Sequence, residues 1–188
     1  MDEKNFKEKL QQKLDNILKN YNVEVKINKN LIYKVIVNEN FEFKPNTPRE
    51  PKRGSDYAFQ TDLLIEDKNN NDLPLVVIKT IICKSRNDPT INDIITYSEK
   101  ALKHKEIFPY LRYGLVMGGR DDIPTRFFVH NKGFDFAYPL EDINDDDKSI
   151  KELAKIIEQQ IKSARSLLNV FLKKTDKIKK FNVIVEIK

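Results

Sequence analysis

The sequence predicts an α/β protein in which a central mixed β-sheet is flanked by α-helices. Apolar residues recur at helical spacing in three separate stretches, and short β-branched runs lie between them. The resulting order along the chain is helix, strands, helix, strands, helix, strand. Since 188 residues fit one ordinary domain, we expect a single domain over residues 1–188.

The composition is that of a folded protein. Hydrophobic residues make up 39% of the chain and charged residues 34%, which leaves enough apolar material for a core. The formal net charge of +5 permits a polyanionic partner without requiring one. No apolar stretch reaches the roughly 18 residues that a membrane span needs, and the first residues are too charged for a signal peptide. We therefore expect a cytoplasmic protein with no membrane segment.

Cysteine and histidine are scarce, which limits the disulfide and metal chemistry that the chain can support. Cys83 is the only cysteine, so an internal disulfide is excluded. His104 and His130 are the only histidines, and the chain therefore has no credible Cys/His zinc cluster. Zinc-based nuclease chemistry is not expected.

The first third of the chain is predicted to contain a helix, two strands and a loop. Phe6, Leu10 and Leu14 recur at helical spacing and indicate an amphipathic helix over residues 2 to about 20. The β-branched runs VEVKI and LIYKVIVN are separated by NKN, which is typical of a hairpin or of two adjacent strands. Residues 44–56 contain three prolines and a glycine and are predicted to form a loop.

The middle of the chain is predicted to hold a hairpin of two strands. The segment YAFQTDLLIE, residues 57–66, alternates like one strand, so Asp62 points away from Leu63. After the polar turn EDKNNND comes LPLVVIKTIIC, residues 73–83, whose apolar run hardly alternates. Such a run is typical of a central strand that is buried on both faces.

The second half is predicted to contain two helices and three strands. Apolar spacing indicates a helix from Thr90 to Ile107, with Asp88 or Thr90 as its N-cap. The face opposite its apolar stripe carries Asp93, Tyr97, Lys100 and His104. The segments RYGLVMGG and TRFFVH are predicted to be strands. A long helix is predicted over about residues 147–174. The last segment, FNVIVEIK, is predicted to be a strand that is buried in the sheet or against a partner.

Lys79 ends the apolar run of the central strand. A lysine in that place is ordinary when its stem lies along apolar surface and its ammonium reaches water. The predicted hairpin, however, would bring Lys79 close to Asp62 on the preceding strand. Charges placed where apolar runs end are costly unless they are paired or employed. Asp62 and Lys79 are therefore a candidate site.

The segments FQTDLL and LPLVVIKT, the helix with ITYSEKA and the strand YGLVMGG follow one another in an order that resembles the PD-(D/E)XK nucleases, in particular type II restriction endonucleases. The resemblance covers about residues 50–140 and implies a restriction-endonuclease-like core on which the terminal helices pack. It also implies Mg²⁺-dependent hydrolysis of phosphodiester bonds in double-stranded DNA by an activated water. A nuclease of broader repair type is an alternative, because fold does not fix substrate.

Carried over residue by residue, the resemblance implies that Asp62 binds the metal and that Lys79 orients or deprotonates the water and stabilises charge. The second acidic position of the motif corresponds to Val77, which cannot bind a cation. Three explanations stay open. The acid has moved to the following helix, as Asp93; Glu66, on the same face of its strand as Asp62, supplies it; or the site is disabled and the protein binds DNA without cutting it.

Basic residues that could contact DNA lie on both sides of the candidate site in the sequence. Arg49, Lys52 and Arg53 belong to the loop before the Asp62 strand and could approach phosphates. Three further arginines, which could contact guanine, follow the second helix: Arg112, Arg120 and Arg126. Cutting both strands at a symmetric site is most simply done by two subunits, which predicts a homodimer with the N-terminal and the long C-terminal helix as candidate interfaces.

Overall fold

The computed structural model describes residues 1–52, 56–85, 87–144, 147–174 and 177–187. Its helices are α1 (Glu3–Leu18), α2 (Ile91–Ile107), α3 (Thr125–His130) and α4 (Asp147–Phe171). Its strands are β1 (Val23–Ile27), β2 (Asn30–Ile32), β3 (Ile36–Val37), β4 (Phe43–Lys44), β5 (Ala58–Gln60), β6 (Leu63–Asp67), β7 (Leu73–Ile82), β8 (Arg112–Gly118) and β9 (Phe136–Leu140).

A mixed five-stranded sheet in the order β1-β6-β7-β8-β9 forms the centre of the fold. β6 pairs antiparallel with both β1 and β7, whereas β8 pairs parallel with both β7 and β9. Parallel neighbours need a crossover connection, and α2 lies in the crossover from β7 to β8. The predicted α/β class with a central mixed sheet and flanking helices is confirmed, as is the predicted β6–β7 hairpin.

Helices cover both faces of this sheet, because neighbouring residues of β6 and β7 point to opposite sides. Leu63 and Val76 belong to the apolar cluster that α1 and α4 complete. Leu64 and Val77 belong to a second cluster, to which α2 contributes Ile94. The central strand is thus buried on both faces, as predicted.

The predicted terminal helices are confirmed, and both bury their apolar stripes in the core. Leu10 and Leu14 of α1 and Ile157 and Ile161 of α4 are fully buried. These stripes are therefore not free to form an interface between two copies of the chain. No helix among the described residues is both long enough and apolar enough to cross a membrane.

The runs VEVKI and LIYKVIVN do not pair with each other as a hairpin. β1 joins the central sheet beside β6, whereas β2 pairs with β5 in a separate two-stranded sheet. The left-handed backbone of Asn28, with φ of 56°, lies between β1 and β2. Local alternation identifies a strand, but the partner of that strand is decided by packing elsewhere in the chain.

In the second half, the strand predicted at TRFFVH was wrong and one strand was missed. The segment TRFFVH is the short helix α3, in which Phe127 is buried while Phe128 and Val129 are exposed. Pro124 precedes it with φ of −67° and is its N-cap. The strand β9 was not predicted, because its side chains alternate too little for a clear period-two pattern.

The strand predicted at FNVIVEIK is not observed over residues 181–187, and residue 188 lies outside the described residues. Residues 181–187 are neither helix nor strand, and Phe181 and Val185 are 75% and 82% exposed. Alternation by two fixes which side chains share a face, but a strand also needs the edge of a neighbouring strand to pair with. The described part of the chain does not provide this segment with such a pairing.

His104 lies in the core and not on the exposed face of α2 where it was predicted. Its side chain is fully buried, and its Nε2 lies 3.1 Å from the carbonyl oxygen of Leu31. The Phe59 and Tyr113 rings lie 5.7 and 5.9 Å from the His104 ring centroid. The small β2–β5 sheet covers this end of α2, and sequence periodicity alone could not show that contact.

Candidate active site

Asp62 lies where the chain passes from the small sheet into the central sheet. The predicted strand 57–66 is broken into β5 and β6, with Thr61 and Asp62 between them. The Thr61 amide donates to the carbonyl of Lys29 at 2.7 Å, and the Asn28 amide donates to the carbonyl of Asp62 at 3.1 Å. These bonds hold the break in place and aim the Asp62 side chain at the end of β7.

Asp62 and Lys79 are in direct contact, as the hairpin predicted. The Lys79 Nζ lies 2.7 Å from Asp62 Oδ2. The same oxygen accepts from the Thr80 amide at 2.8 Å and from the Thr80 hydroxyl at 3.1 Å. Only about 15% of each charged side chain is exposed. The other carboxylate oxygen, Oδ1, has no hydrogen-bond partner among the described residues.

A second carboxylate, which the sequence did not single out, reaches the same ammonium. Glu3 Oε1 lies 3.2 Å from the Lys79 Nζ, and the Glu3 side chain is 56% exposed. Asp2 caps α1 through the Asn5 amide and so fixes Glu3 in the first helical turn. Because the Asp62 and Glu3 carboxylates contact one nitrogen, their oxygens lie within about 6 Å of each other. An acid in a first turn is so ordinary that no sequence signal marked Glu3.

Lys79 is held as a cation. Burial by itself lowers the pKa of Lys79, but the charge and hydrogen bond of Asp62 outweigh that effect, and Glu3 adds to it. The pKa is therefore raised above its ordinary value. The ammonium also lies 4.6 Å from the centroid of the Tyr97 ring, where a cation is attracted to the ring face. A charged ammonium in this position is suited to stabilising negative charge.

An open cleft of about 390 Å³ lies beside the Lys79 ammonium. Its lining mixes acidic and basic side chains: Glu3 and Asp93 border it together with Lys79, Lys84 and Tyr97. Asp93 also completes a capping box, since its Oδ2 accepts from the Thr90 amide at 2.9 Å and from the Thr90 hydroxyl at 2.6 Å. Thr90 is thus the N-cap of α2, and Asp93 shares the cleft with Lys79 while serving the helix.

The other two positions considered for the missing acid lie outside the cleft. Val77 is fully buried in the apolar cluster under α2. Glu66 forms an ion pair of 2.7 Å with Lys26. It lies four residues along from Asp62, which is about 13 Å at strand spacing. The structure therefore does not bring Glu66 to Asp62.

The basic loop before β5 is only partly described. Lys52 is exposed, and Arg53 lies outside the described residues. Arg49 is exposed as well, and after Lys68 it contributes to lowering the pKa of Asp72. Asp72 is in the β6–β7 turn, at the opposite end of the hairpin from Asp62. The DNA contacts predicted for this loop stay predictions.

The three arginines beyond α2 are engaged inside the protein. Arg112 forms an ion pair of 3.3 Å with Asp135. Arg120 donates to the backbone carbonyl of Asp88 at 2.5 Å, and Arg126 donates to that of Asn87 at 3.0 Å. Arg120 and Arg126 thereby hold the loop that leads into α2, and the guanine contacts considered for the three arginines stay predictions.

The chain carries no established family signature. No protein-family model matches it, and no curated protein matches it. Within the part of the chain that the structure describes, no three or more His, Cys, Asp or Glu residues are grouped to hold a metal ion. These comparisons therefore assign no function to the chain.

Proposed function

We propose that the protein is a Mg²⁺-dependent nuclease with a restriction-endonuclease-like core, acting on DNA phosphodiester bonds at Asp62 and Lys79. The observation that carries the proposal is the contact of Asp62 with Lys79, which lines an open cleft together with Glu3, the second carboxylate on the same ammonium. A largely buried ion pair whose lysine lines a cleft is a candidate for chemistry and not only for stability. The resemblance in sequence supplies the class of reaction.

The residues present fit one Mg²⁺ ion with an incomplete protein shell. Asp62 offers its unpartnered Oδ1, and Glu3 offers a second, exposed carboxylate nearby. Mg²⁺ is commonly bound by one or two carboxylates, with waters and substrate phosphates completing its shell. When bound, the ion would polarise the phosphate and lower the pKa of a coordinated water. Glu3 would then replace the acid that Val77 lacks.

Lys79 acts as a positioned cation in this proposal. The Asp62 and Glu3 carboxylates hold its ammonium in place beside the cleft. A fixed ammonium beside the cleft is placed to stabilise negative charge that develops on the phosphate oxygens. Thr80 holds the Asp62 carboxylate through two hydrogen bonds and so keeps that charge aimed at Lys79.

A protein that binds DNA without cutting it is the second candidate. Two observations favour it. Val77 is fully buried, and a third acid is not grouped with Asp62 and Glu3 among the described residues. On this alternative the Lys79 ammonium would neutralise Asp62 and bind a phosphate directly.

Incubation of purified protein with supercoiled plasmid and Mg²⁺ separates these functions. Discrete fragments indicate a sequence-specific endonuclease, a broad range of products indicates a general nuclease, and intact DNA with a salt-sensitive gel shift indicates a binder. Asp62→Asn and Lys79→Met should each abolish cleavage, while the distant variants Asp142→Asn and Lys155→Met should retain it. Sedimentation equilibrium with and without DNA tests the homodimer, which the proposal keeps as its most economical form for cutting a duplex.

A further inference from the structure

Lysines and aromatic rings alternate along the surface that leads away from Lys79. The Lys100 Nζ lies 5.3 Å from the Tyr97 ring centroid and 5.2 Å from that of Phe59. Phe59 stacks on Tyr33 with the ring centroids 3.8 Å apart and an angle of 7° between the planes. The Lys103 Nζ lies 5.8 Å from the Tyr33 ring. We call Tyr33, Phe59, Tyr97, Lys100 and Lys103 the lysine–aromatic surface.

Two parts of the fold build this surface. Tyr97, Lys100 and Lys103 follow one another at spacings of three residues along α2 and so share one side of the helix. Phe59 is in β5, and Tyr33 directly follows β2, the strand that pairs with β5. The buried His104 ring packs against Phe59 and joins the small sheet to α2. The rings therefore stand on a fixed base.

The two lysines of this surface are available to an anion. Among the described residues, Lys100 and Lys103 have only aromatic contacts and no carboxylate partner. Lys79, by contrast, is paired with Asp62 and Glu3. The lysine–aromatic surface thus adds positive charge next to the candidate active site, beyond that of Lys79 and Lys84 in the cleft.

We propose that the lysine–aromatic surface binds single-stranded nucleic acid and leads it to the Asp62–Lys79 site. Pairing with successive phosphates would draw Lys100 and Lys103 away from the Tyr97 and Tyr33 rings, and unpaired bases would stack on the rings in their place. This combination of a basic track with aromatic platforms is the way that proteins hold single strands without reading sequence. A base-paired duplex keeps its bases stacked inside and has none to offer these rings.

The inference rests on the proposed function for its direction toward the site, but binding is measurable without cleavage. A fluorescent twenty-nucleotide oligothymidine is titrated with the full chain in EDTA, and the anisotropy is followed at several salt concentrations. The double variant Lys100→Ala/Lys103→Ala should bind at least tenfold more weakly, with a salt slope shallower by about 1.4, because each lost phosphate contact removes about 0.7 for a single strand. Tyr33→Leu should weaken binding at least fivefold.

The chain contains a matched control on the opposite side of the sheet. Lys162 of α4 lies 5.9 Å from the Tyr21 ring, which is a lysine–aromatic pair of the same kind. Lys155→Ala/Lys162→Ala and Tyr21→Leu should bind the oligonucleotide like the unaltered protein. A thermal melt of each variant verifies that it is folded.

Several results would overturn the inference. The first is that the oligonucleotide does not bind. The second is that the Lys100/Lys103 and Lys155/Lys162 variants lose affinity for it equally. The third is that a twenty-base-pair duplex binds as tightly as the single strand. Binding in EDTA without cleavage in Mg²⁺ would instead refute the nuclease and leave the surface intact. Cleavage with unaltered substrate affinity in the Lys100→Ala/Lys103→Ala variant would refute the surface alone.

Discussion

Lys79 and Asp62 are 17 residues apart in the chain, and their charged atoms lie 2.7 Å apart with only 14% and 15% of the side chains exposed. Water therefore screens this pair far less than it screens an ordinary surface ion pair. Removal of either partner leaves the other charged group largely buried, with little water and fewer contacts to stabilise it.

This contact predicts strong energetic coupling. Asp62→Asn and Lys79→Met should each lower the free energy of unfolding by about 3 kcal/mol, and the double variant should lose less than the sum of the two. Urea denaturation at pH 7 gives the three values. Because the folded pKa of Lys79 is above its ordinary 10.5, the stabilisation is complete at neutral pH and is lost only as the pH rises through the folded pKa. Additive losses would show that the two charges act independently.

Because His104 is buried, the free energy of unfolding should depend on pH in the acidic range. Burial lowers the pKa of His104 to about 4 from its ordinary 6.5, so the folded state resists protonation while the unfolded state accepts it. Stability should therefore fall as the pH drops from about 6.5 to 4, by about 3 kcal/mol in total. Urea titrations of the protein and of His104→Gln, which keeps a side-chain donor for Leu31, should show a smaller decline for the variant. Identical declines would assign the acid sensitivity to carboxylates.

Asp67 and Arg165 connect the end of β6 to α4. Asp67 is fully buried and lies 2.7 Å from the Arg165 guanidinium, which also donates to the Tyr21 carbonyl at 2.7 Å. Burial raises the pKa of Asp67, but the Arg165 hydrogen bond and charge outweigh it and hold that pKa below its ordinary value. Asp67→Ala should cost about 3 to 5 kcal/mol of unfolding free energy in urea denaturation. The exposed Asp121→Ala is its control and should change stability by less than about 0.5 kcal/mol.

Variants of Glu3 and Asp93 distinguish these two residues as candidates for the second metal-binding acid. If Glu3 binds the metal with Asp62, Glu3→Gln should lower Mg²⁺-dependent cleavage about tenfold or more at 1 mM Mg²⁺, with partial recovery at a concentration about twenty times higher. Asp93→Asn should keep cleavage but cost about 1 kcal/mol of stability, because it weakens the capping box. Loss of cleavage in Asp93→Asn with no effect of Glu3→Gln would transfer the role to Asp93.

Restoring the motif at position 77 should fail. Val77 is fully buried among Leu64, Ile94 and Leu115, so a glutamate there would be charged in an apolar cluster. Val77→Glu should cost at least about 3 kcal/mol, measured by denaturation, and should not create cleavage. Val77→Leu, which keeps the site apolar, should cost less than Val77→Glu. A stable, newly active Val77→Glu variant would show that the site lacks only this carboxylate.

The sequence by itself determined the α/β class, the terminal helices α1 and α4, the β6–β7 hairpin, and through that hairpin the meeting of Asp62 with Lys79. These features follow from local periodicity and from a short turn, both of which a single chain displays directly. The same local information predicted strands at TRFFVH and FNVIVEIK, which are α3 and an exposed segment.

Only the tertiary structure decided which distant groups join the pair. Glu3 reaches Lys79 across 76 residues because α1 packs beside β7, and His104 is buried because the β2–β5 sheet covers α2. Nothing in the neighbourhood of Glu3 or His104 along the chain distinguishes them from ordinary helix residues. Long-range packing sets their burial and partners, so their roles depend on the whole fold.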